Sequence, residues 1–317
     1  MFITLSLVYT SFRKNISKIV IFFILCYSES MKKLTGVFEA KKKNGQTYYR
    51  SSITYKGRHI SLGSFDIAEN AHRAYLEADR MIHEPQHFSI DLLETYFSDS
   101  DKSKKSPGKS FAKIDMLSFE KAVILLNFRD NDIYFHSPIY LYKNYFHYYL
   151  AANYHLTFDK EDLFYYSSHK IMRRGNHLFV ADYGMQVTIA SRYGIRNFAV
   201  KDRDYRFINQ DETDYRYSNI EIINPYHGVL REGTFGNYSY RVLIHINGNY
   251  IVGIYDNVET AAIAYNKAAD LCHQYGINKK FPVNYIETMS PKTYAEIYSG
   301  ITVSESFINM LTSGCNR

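Results

Sequence analysis

Two stretches of the chain alternate side chains in the manner of a strand and then change to a helical spacing. In residues 49–55 and 240–246, every second side chain falls on one face, which predicts strands with one face packed inward. Downstream of the first stretch, Ala71, Ala74, Tyr75 and Ala78 recur at helical spacing. These small side chains would let the helix lie close to a sheet. We therefore predict two modules, each of three short strands and one packed helix.

The two modules repeat one another along the chain. Gly63 corresponds to Gly253 and Tyr75 to Tyr265, both at an offset of 190 residues, whereas Tyr49 and Tyr240 are 191 apart. The offset changes by one residue at the expected turns, which are Lys56-Gly57 in the first copy and Asn247-Gly248 in the second. Asn247-Gly248 is the stronger hairpin signal of the two.

An acidic residue precedes each predicted helix. Asp66 and Asp256 stand at the expected N-cap, and Glu69 and Glu259 follow three residues later. This spacing is close to a capping box, so we predict that both helices begin there.

The modules resemble the APETALA2/ethylene-responsive-factor DNA-binding domain, particularly its bacterial and phage forms. The residues that carry the resemblance are Gly36-Val37, Tyr48-Tyr49-Arg50, Leu62-Gly63 and Ala74-Tyr75 in the first copy, and Gly228-Val229, Tyr240-Arg241, Gly253 and Ala264-Tyr265 in the second. The resemblance implies a three-stranded sheet laid into the major groove of DNA.

Outward strand residues contact bases and phosphates in that family, and nearby cations contact phosphates. The corresponding candidate DNA-binding residues are Lys41, Lys43, Arg50, Ser52, Thr54, Arg58, His59, Ser61, Arg231, Arg241, His245 and Asn249. The chain has no Trp and few Arg at these positions, so the family's base preference does not transfer. Phosphate contacts would bring affinity and salt dependence without specificity.

Charge and cysteine usage narrow the class of protein. The 38 Lys and Arg against 32 Asp and Glu leave a net charge of +6, which weakly favours a polyanionic partner. The first module carries ten Lys and Arg against six Asp and Glu, and the second carries five against four. The first is therefore the better electrostatic anchor, and the second would suit protein contacts.

Three distant Cys without a CxxC motif exclude a disulfide framework and a Cys-rich zinc site.

Between the modules, residues 206–224 resemble the core of HNH homing endonucleases. Asn209, Asp214, Arg216, Asn219 and Ile220 fit that pattern. The resemblance implies a ββα unit that cuts DNA with a divalent metal ion.

The catalytic positions depart from that pattern. The general-base histidine falls on Phe207 and its metal-binding neighbour on Arg206. Phe cannot accept a proton, and Arg repels a cation, so both sources of rate enhancement would be lost. We therefore predict no catalytic or metal-binding residues, with Phe207, Asn209 and Asn219 as degenerate positions and Asn219 structural. The alternative is that His169, His177 or His227 substitutes for the missing base.

The ends of the modules are marked by changes in composition. In residues 1–30, basic side chains precede an apolar run at Ile19–Tyr27, which is too short to span a bilayer but resembles a signal peptide. We expect Met31 to be the natural start, with an export signal as the alternative. The predicted organisation is 1–30 extension, 31–90 first module, 98–112 flexible linker, 113–225 HNH-like middle domain, 226–290 second module and 291–317 C-terminal tail.

These observations predict an α+β protein in which two sheet-and-helix modules flank an HNH-like middle domain. Its expected function is double-stranded DNA binding by a homing-endonuclease derivative that has lost catalysis, which would suit a transcriptional regulator of the cytoplasm and nucleoid in a bacterial or phage setting. The alternatives are an active HNH endonuclease and a protein-interaction scaffold. No cofactor is expected, except Mg²⁺ or another divalent cation if the endonuclease alternative holds. Neither a small-molecule substrate nor stable membrane association is expected.

Overall fold

The computed structural model describes residues 34–98, 114–234 and 236–314. Within them the strands are β1 Val37–Lys41, β2 Thr47–Tyr55, β3 Arg58–Phe65, β4 Ile139–Leu141, β5 Tyr145–Ala151, β6 Tyr154–Asp159, β7 Ile171–Arg174, β8 His177–Asp182, β9 Met185–Thr188, β10 Tyr205–Phe207, β11 Ile220–Ile222, β12 Val229–Thr234, β13 Asn237–His245 and β14 Asn249–Tyr255. The helices are α1 Ala68–His83, α2 Ile90–Ser98, α3 Phe119–Asn131, α4 Leu163–Ser168, α5 Val258–Gln274, α6 Pro291–Gly300 and α7 Glu305–Gly314. The predicted N-terminal extension and most of the predicted linker lie outside these residues.

The chain is a mixed α+β protein built from small sheets, as predicted. Four three-stranded sheets are formed in sequence order, from β1–β3, β4–β6, β7–β9 and β12–β14, and β10 pairs with β11. The chain divides into two compact units. Unit 1 runs to Lys143 and includes His147–His155, and unit 2 comprises Asn144–Phe146 and the residues from Leu156 onward. In the part of the chain that the structure describes, no helix combines the length and apolarity needed to cross a membrane.

The first predicted module is present in unit 1 as an antiparallel sheet covered by α1. The turn at Lys56-Gly57 joins β2 to β3 through two residues with φ of 47° and 74°, which matches the twist of the flanking strands. Ala71, Ala74 and Ala78 are fully buried on the sheet side of α1. The predicted alanine face is therefore confirmed.

Helix α3 completes the core of unit 1. Ile53 and Ile60 of the sheet belong to one apolar cluster with Leu125 of α3. Glu77 of α1 is buried, and its carboxylate accepts hydrogen bonds from the backbone N–H groups of residues 115–117. These bonds fix the chain just before α3, where Ser118 caps the helix by accepting from the N–H of Lys121.

The second module is present in unit 2, and the repeat extends to a specific packing contact. Gly36 and Gly228 have φ of 75° and 70°, and a Cβ on either would lie within about 2.2 Å of Cδ2 of Tyr75 or Tyr265, respectively. Each glycine thus lets the start of the module's first strand lie against the repeated helix tyrosine. The repeat therefore preserves both a left-handed backbone conformation and a close approach.

Two local predictions were wrong. Helices α1 and α5 begin two residues after Asp66 and Asp256, so neither aspartate is the N-cap. Asn257 caps α5 by accepting from the N–H of Thr260, whereas Ile67 at the start of α1 makes no side-chain cap. Oδ1 of Asp66 instead lies 3.6 Å from Nζ of Lys42, with which it forms an ion pair.

The predicted C-terminal tail is folded as far as the structure describes it. Helices α6 and α7 occupy it, and Phe307 and Leu311 of α7 are buried in the same apolar cluster as Val242 and Ile244 of β13. The core of the second module is thus completed by residues beyond 290.

Candidate nucleic-acid interface

The outward face of the first sheet carries most of the polar side chains that were predicted there. Arg50, Thr54, His59 and Ser61 are exposed. Thr54 pairs with His59 across β2 and β3, so these two side chains share a face. Phe38 of β1 is also exposed, and its ring meets His59 edge-on at 6.5 Å between centroids. This face therefore combines a cation, hydroxyls and one aromatic ring.

Two predicted residues of the first module are placed differently. Ser52 pairs with Ser61 on the same face, but it is only 7% exposed, and its N–H donates to the Gly36 carbonyl. Arg58 is exposed, but it pairs with Tyr55 on the opposite face from His59, and its guanidinium lies 4.3 Å from the Tyr134 ring centroid. Neither side chain therefore lies on the exposed surface around Arg50.

Lys41 and Lys43 are exposed around the turn between β1 and β2. Lys42, between them, makes a hydrogen bond to Gln46 and lies near Asp66. The turn is thus a cationic projection of the same module, partly balanced by one carboxylate.

The outward face of the second sheet is less cationic than that of the first. Arg241 forms an ion pair with Glu232, and Arg231 lies over the Tyr238 ring at 4.5 Å. Ile251 and Ile254 are 48% and 61% exposed. The two predicted arginines thus have partners within the module. The two exposed isoleucines give this face an apolar surface.

His245 and Asn249, also predicted, lie beside a cavity of about 520 Å³ in unit 2. Nδ1 of His245 and Oδ1 of Asn249 are 2.9 Å apart. Arg196, Arg203 and His227 line the same cavity. Sequence reasoning missed both arginines, and it considered His227 only as a substitute base.

The arginines are held by one buried carboxylate. Nη2 of Arg196 and Nη2 of Arg203 donate to the two oxygens of Asp204, at 2.8 and 2.9 Å. Burial raises the pKa of Asp204, but hydrogen bonds from Arg203 and the Val200 N–H, and the charge of Arg196, more than offset it and leave the pKa below its usual value. Two cations therefore share one anion beside the cavity.

Arg196 is the unusual member of this group. Its side chain is only 10% exposed, and its Nε is buried without a hydrogen-bond partner among the described residues. Burial lowers the pKa of Arg196, and burial together with the charge of Arg196 lowers the pKa of His227. Two arginines and one carboxylate thus leave a net positive charge at the cavity, which an anion would stabilise.

In the HNH-like segment, β10 and β11 form an antiparallel pair. Phe207 is buried, with its ring edge-on to Tyr215 at 5.7 Å, and Nε of Arg206 donates to Glu221 at 2.7 Å. Residues 223–228 lead directly into β12, so the helix that a ββα order requires does not follow β11. Pro225 and the left-handed Gly228 interrupt that stretch.

Asn219 holds the loop of this segment together. Its Oδ1 accepts from the Asn209 N–H, and its Nδ2 donates to the Asp214 carbonyl, both at 2.8 Å. Asn209 in turn donates to the Asp214 carboxylate at 2.9 Å. Burial raises the pKa of Asp214, but hydrogen bonds from Arg216 outweigh it, and the pKa lies below its usual value. The loop is thus a closed hydrogen-bond network.

The three alternative histidines are dispersed. Nε2 of His169 lies 3.6 Å from Asp182 at the end of β8, and His177 is exposed beside the turn between β7 and β8. His227 lines the cavity beside Arg196. None of these three histidines takes part in the hydrogen bonds that join Asn209, Asp214 and Asn219 in the described structure.

In the described part of the chain, one group of side chains has the composition and spacing to hold a metal ion. It consists of Glu94, His147 and His155 in unit 1. None of these residues belongs to the predicted HNH-like positions.

Comparison with known proteins gave no match to any family model, curated protein or solved structure.

Proposed function

We propose that the chain binds double-stranded DNA through phosphate contacts and does not cut it. The observation that carries this proposal is the cavity in unit 2, which Arg196, Arg203 and His227 line. His245 and Asn249, outward residues of the second sheet, line the same cavity. A sheet face that continues into a cationic cavity is suited to a phosphate group of a nucleic-acid backbone.

The chemistry of the cavity favours an anion over a neutral ligand. A phosphate oxygen that accepts from an arginine of the cavity lining would form a charge-assisted hydrogen bond. Because Asp204 already neutralises one arginine charge, about one positive charge remains for the ligand.

The proposed lack of cleavage rests on Phe207 and Arg206. A buried ring cannot act as a general base, and an arginine paired with Glu221 offers no ligand to a cation. We expect a duplex incubated with the protein and Mg²⁺ to remain intact.

Fluorescence anisotropy of a labelled duplex, titrated at several NaCl concentrations, tests the proposal. Affinity should fall as salt rises, with a slope that counts the phosphate contacts. Arg203→Gln should reduce that slope by about 0.9, whereas Lys160→Gln, an exposed control in unit 2, should leave it unchanged. Absence of binding to any duplex at low salt would end the proposal.

A second candidate function, protein contact through the second module, is favoured by the exposed Ile251 and Ile254. Both lie in β14 on the outward face of the sheet, where a DNA-binding surface would carry polar groups. Ile251→Ser with Ile254→Ser should then abolish partner binding or self-association. Sedimentation of the wild-type and double-variant proteins would detect self-association.

A further inference from the structure

Two histidines of unit 1 lie face to face on neighbouring strands. The rings of His147 in β5 and His155 in β6 have centroids 3.9 Å apart and planes inclined by 19°. Neutral imidazole nitrogen is the form that ligates metal ions.

Helix α2 brings a carboxylate to the same place. Glu94 lies next to the buried Leu93, and one ligand atom from each of Glu94, His147 and His155 falls within 4.8 Å of the other two. All three residues are partly buried. Ligand atoms on one tetrahedral zinc stand roughly 3.4 Å apart, and both imidazole rings must turn out of their near-parallel stack for their lone pairs to converge on one ion.

Tyr149 orients this carboxylate. Its hydroxyl donates to Oε1 of Glu94 and lies 3.5 Å from Nδ1 of His147. A hydrogen-bonded carboxylate beside paired imidazoles is the arrangement that surrounds many protein metal ions.

We propose that Glu94, His147 and His155 form a binding site for a zinc-class divalent cation. Two imidazoles and one carboxylate suit zinc and similar transition metals, whereas Mg²⁺ and Ca²⁺ prefer oxygen ligands only. Three protein ligands leave a fourth position for water or another donor. The site lies within unit 1 and does not depend on DNA binding.

Isothermal titration of the full-length, chelator-treated protein with Zn²⁺ tests this site. The wild type should bind one zinc per chain at the site, and Mg²⁺ should not compete. His147→Ala and His155→Ala should each weaken that binding by at least about tenfold, because each removes a ligand. His177→Ala changes an exposed histidine of unit 2 and should bind zinc as the wild type does.

Glu94→Gln addresses the risk that the alanine variants fail to fold. The amide can still accept from Tyr149 but is a much poorer ligand, so the variant should keep its metal-free melting temperature and lose most of the zinc-induced rise in that temperature. A wild type that binds no zinc would overturn the proposal. Unchanged zinc binding in Glu94→Gln and His147→Ala, or loss in His177→Ala, would also overturn it, because the metal would then lie elsewhere.

Discussion

Asn219 is the side chain on which the loop between β10 and β11 depends. It is 5% exposed, and removal of its amide leaves the Asn209 N–H and the Asp214 carbonyl without these partners. Asn219→Ala should therefore lower the free energy of unfolding by about 2–3 kcal/mol, measured by denaturant titration. Asn176→Ala, in the exposed turn after β7, should change it by less than about 0.5 kcal/mol. Equal effects of the two substitutions would contradict the structural role of Asn219.

His227 couples stability to pH. Its pKa is lowered in the folded protein by burial and by the charge of Arg196, and Arg203, Asp204 and His245 are the other titratable groups at or beside the cavity. Above the unfolded pKa of about 6.5, the imidazole is neutral in both states and the contribution is fully present. As the pH falls below that value toward the folded pKa, the unfolded chain takes up the proton first, and stability is lost.

The measurement is unfolding by denaturant at pH 7 and pH 5. His227→Gln retains the backbone bonds to Asn284, and it should lose less stability over this interval than the wild type. Equal losses in the two proteins would show that His227 does not carry this pH dependence.

At the scale of elements, α1 packs on the sheet of the first module through its alanine side chains. Ala74 has no exposed surface, so Ala74→Leu must displace the helix from β2 and β3. We expect a loss of about 1–3 kcal/mol, seen as a lower melting temperature. Leu76→Ala is the matched control on the 45% exposed side of the same helix and should have little effect. An unchanged melting temperature for Ala74→Leu would refute the packing of this face.

The elements that depend on local patterns were predictable from the sequence, and those that depend on distant contacts were not. The Lys56-Gly57 turn and the alanine face of α1 follow from spacing alone. Ser52 lies on the predicted face, but its burial was missed, because the contact with Gly36 leaves no mark in the alternation of residues. Arg196 lies in irregular chain between a short helical turn at Ile189–Tyr193 and β10, about 50 residues before His245. No local period in the sequence indicates that these two residues line the same cavity.

At the scale of the whole molecule, each of the two units carries a local group of basic side chains. The net charge of +6 is modest, so local arrangement matters more than the total. Unit 1 exposes Arg50 and the lysines of the β1–β2 turn, and unit 2 holds Arg196 and Arg203 at its cavity. Under the proposed DNA binding, each unit therefore has its own candidate phosphate contacts.

The salt dependence of DNA affinity distinguishes one engaged unit from two. Each phosphate contact contributes about 0.9 to the slope of log affinity against log salt. If both units contact one duplex, Arg50→Ala and Arg203→Gln should each reduce the slope by about 0.9, and the double variant by about 1.8. Anisotropy titrations of all four proteins with the same duplex measure these slopes. If one unit acts alone, the substitution in the other leaves the slope unchanged and the double variant matches a single one; if no slope changes, neither arginine contacts phosphate.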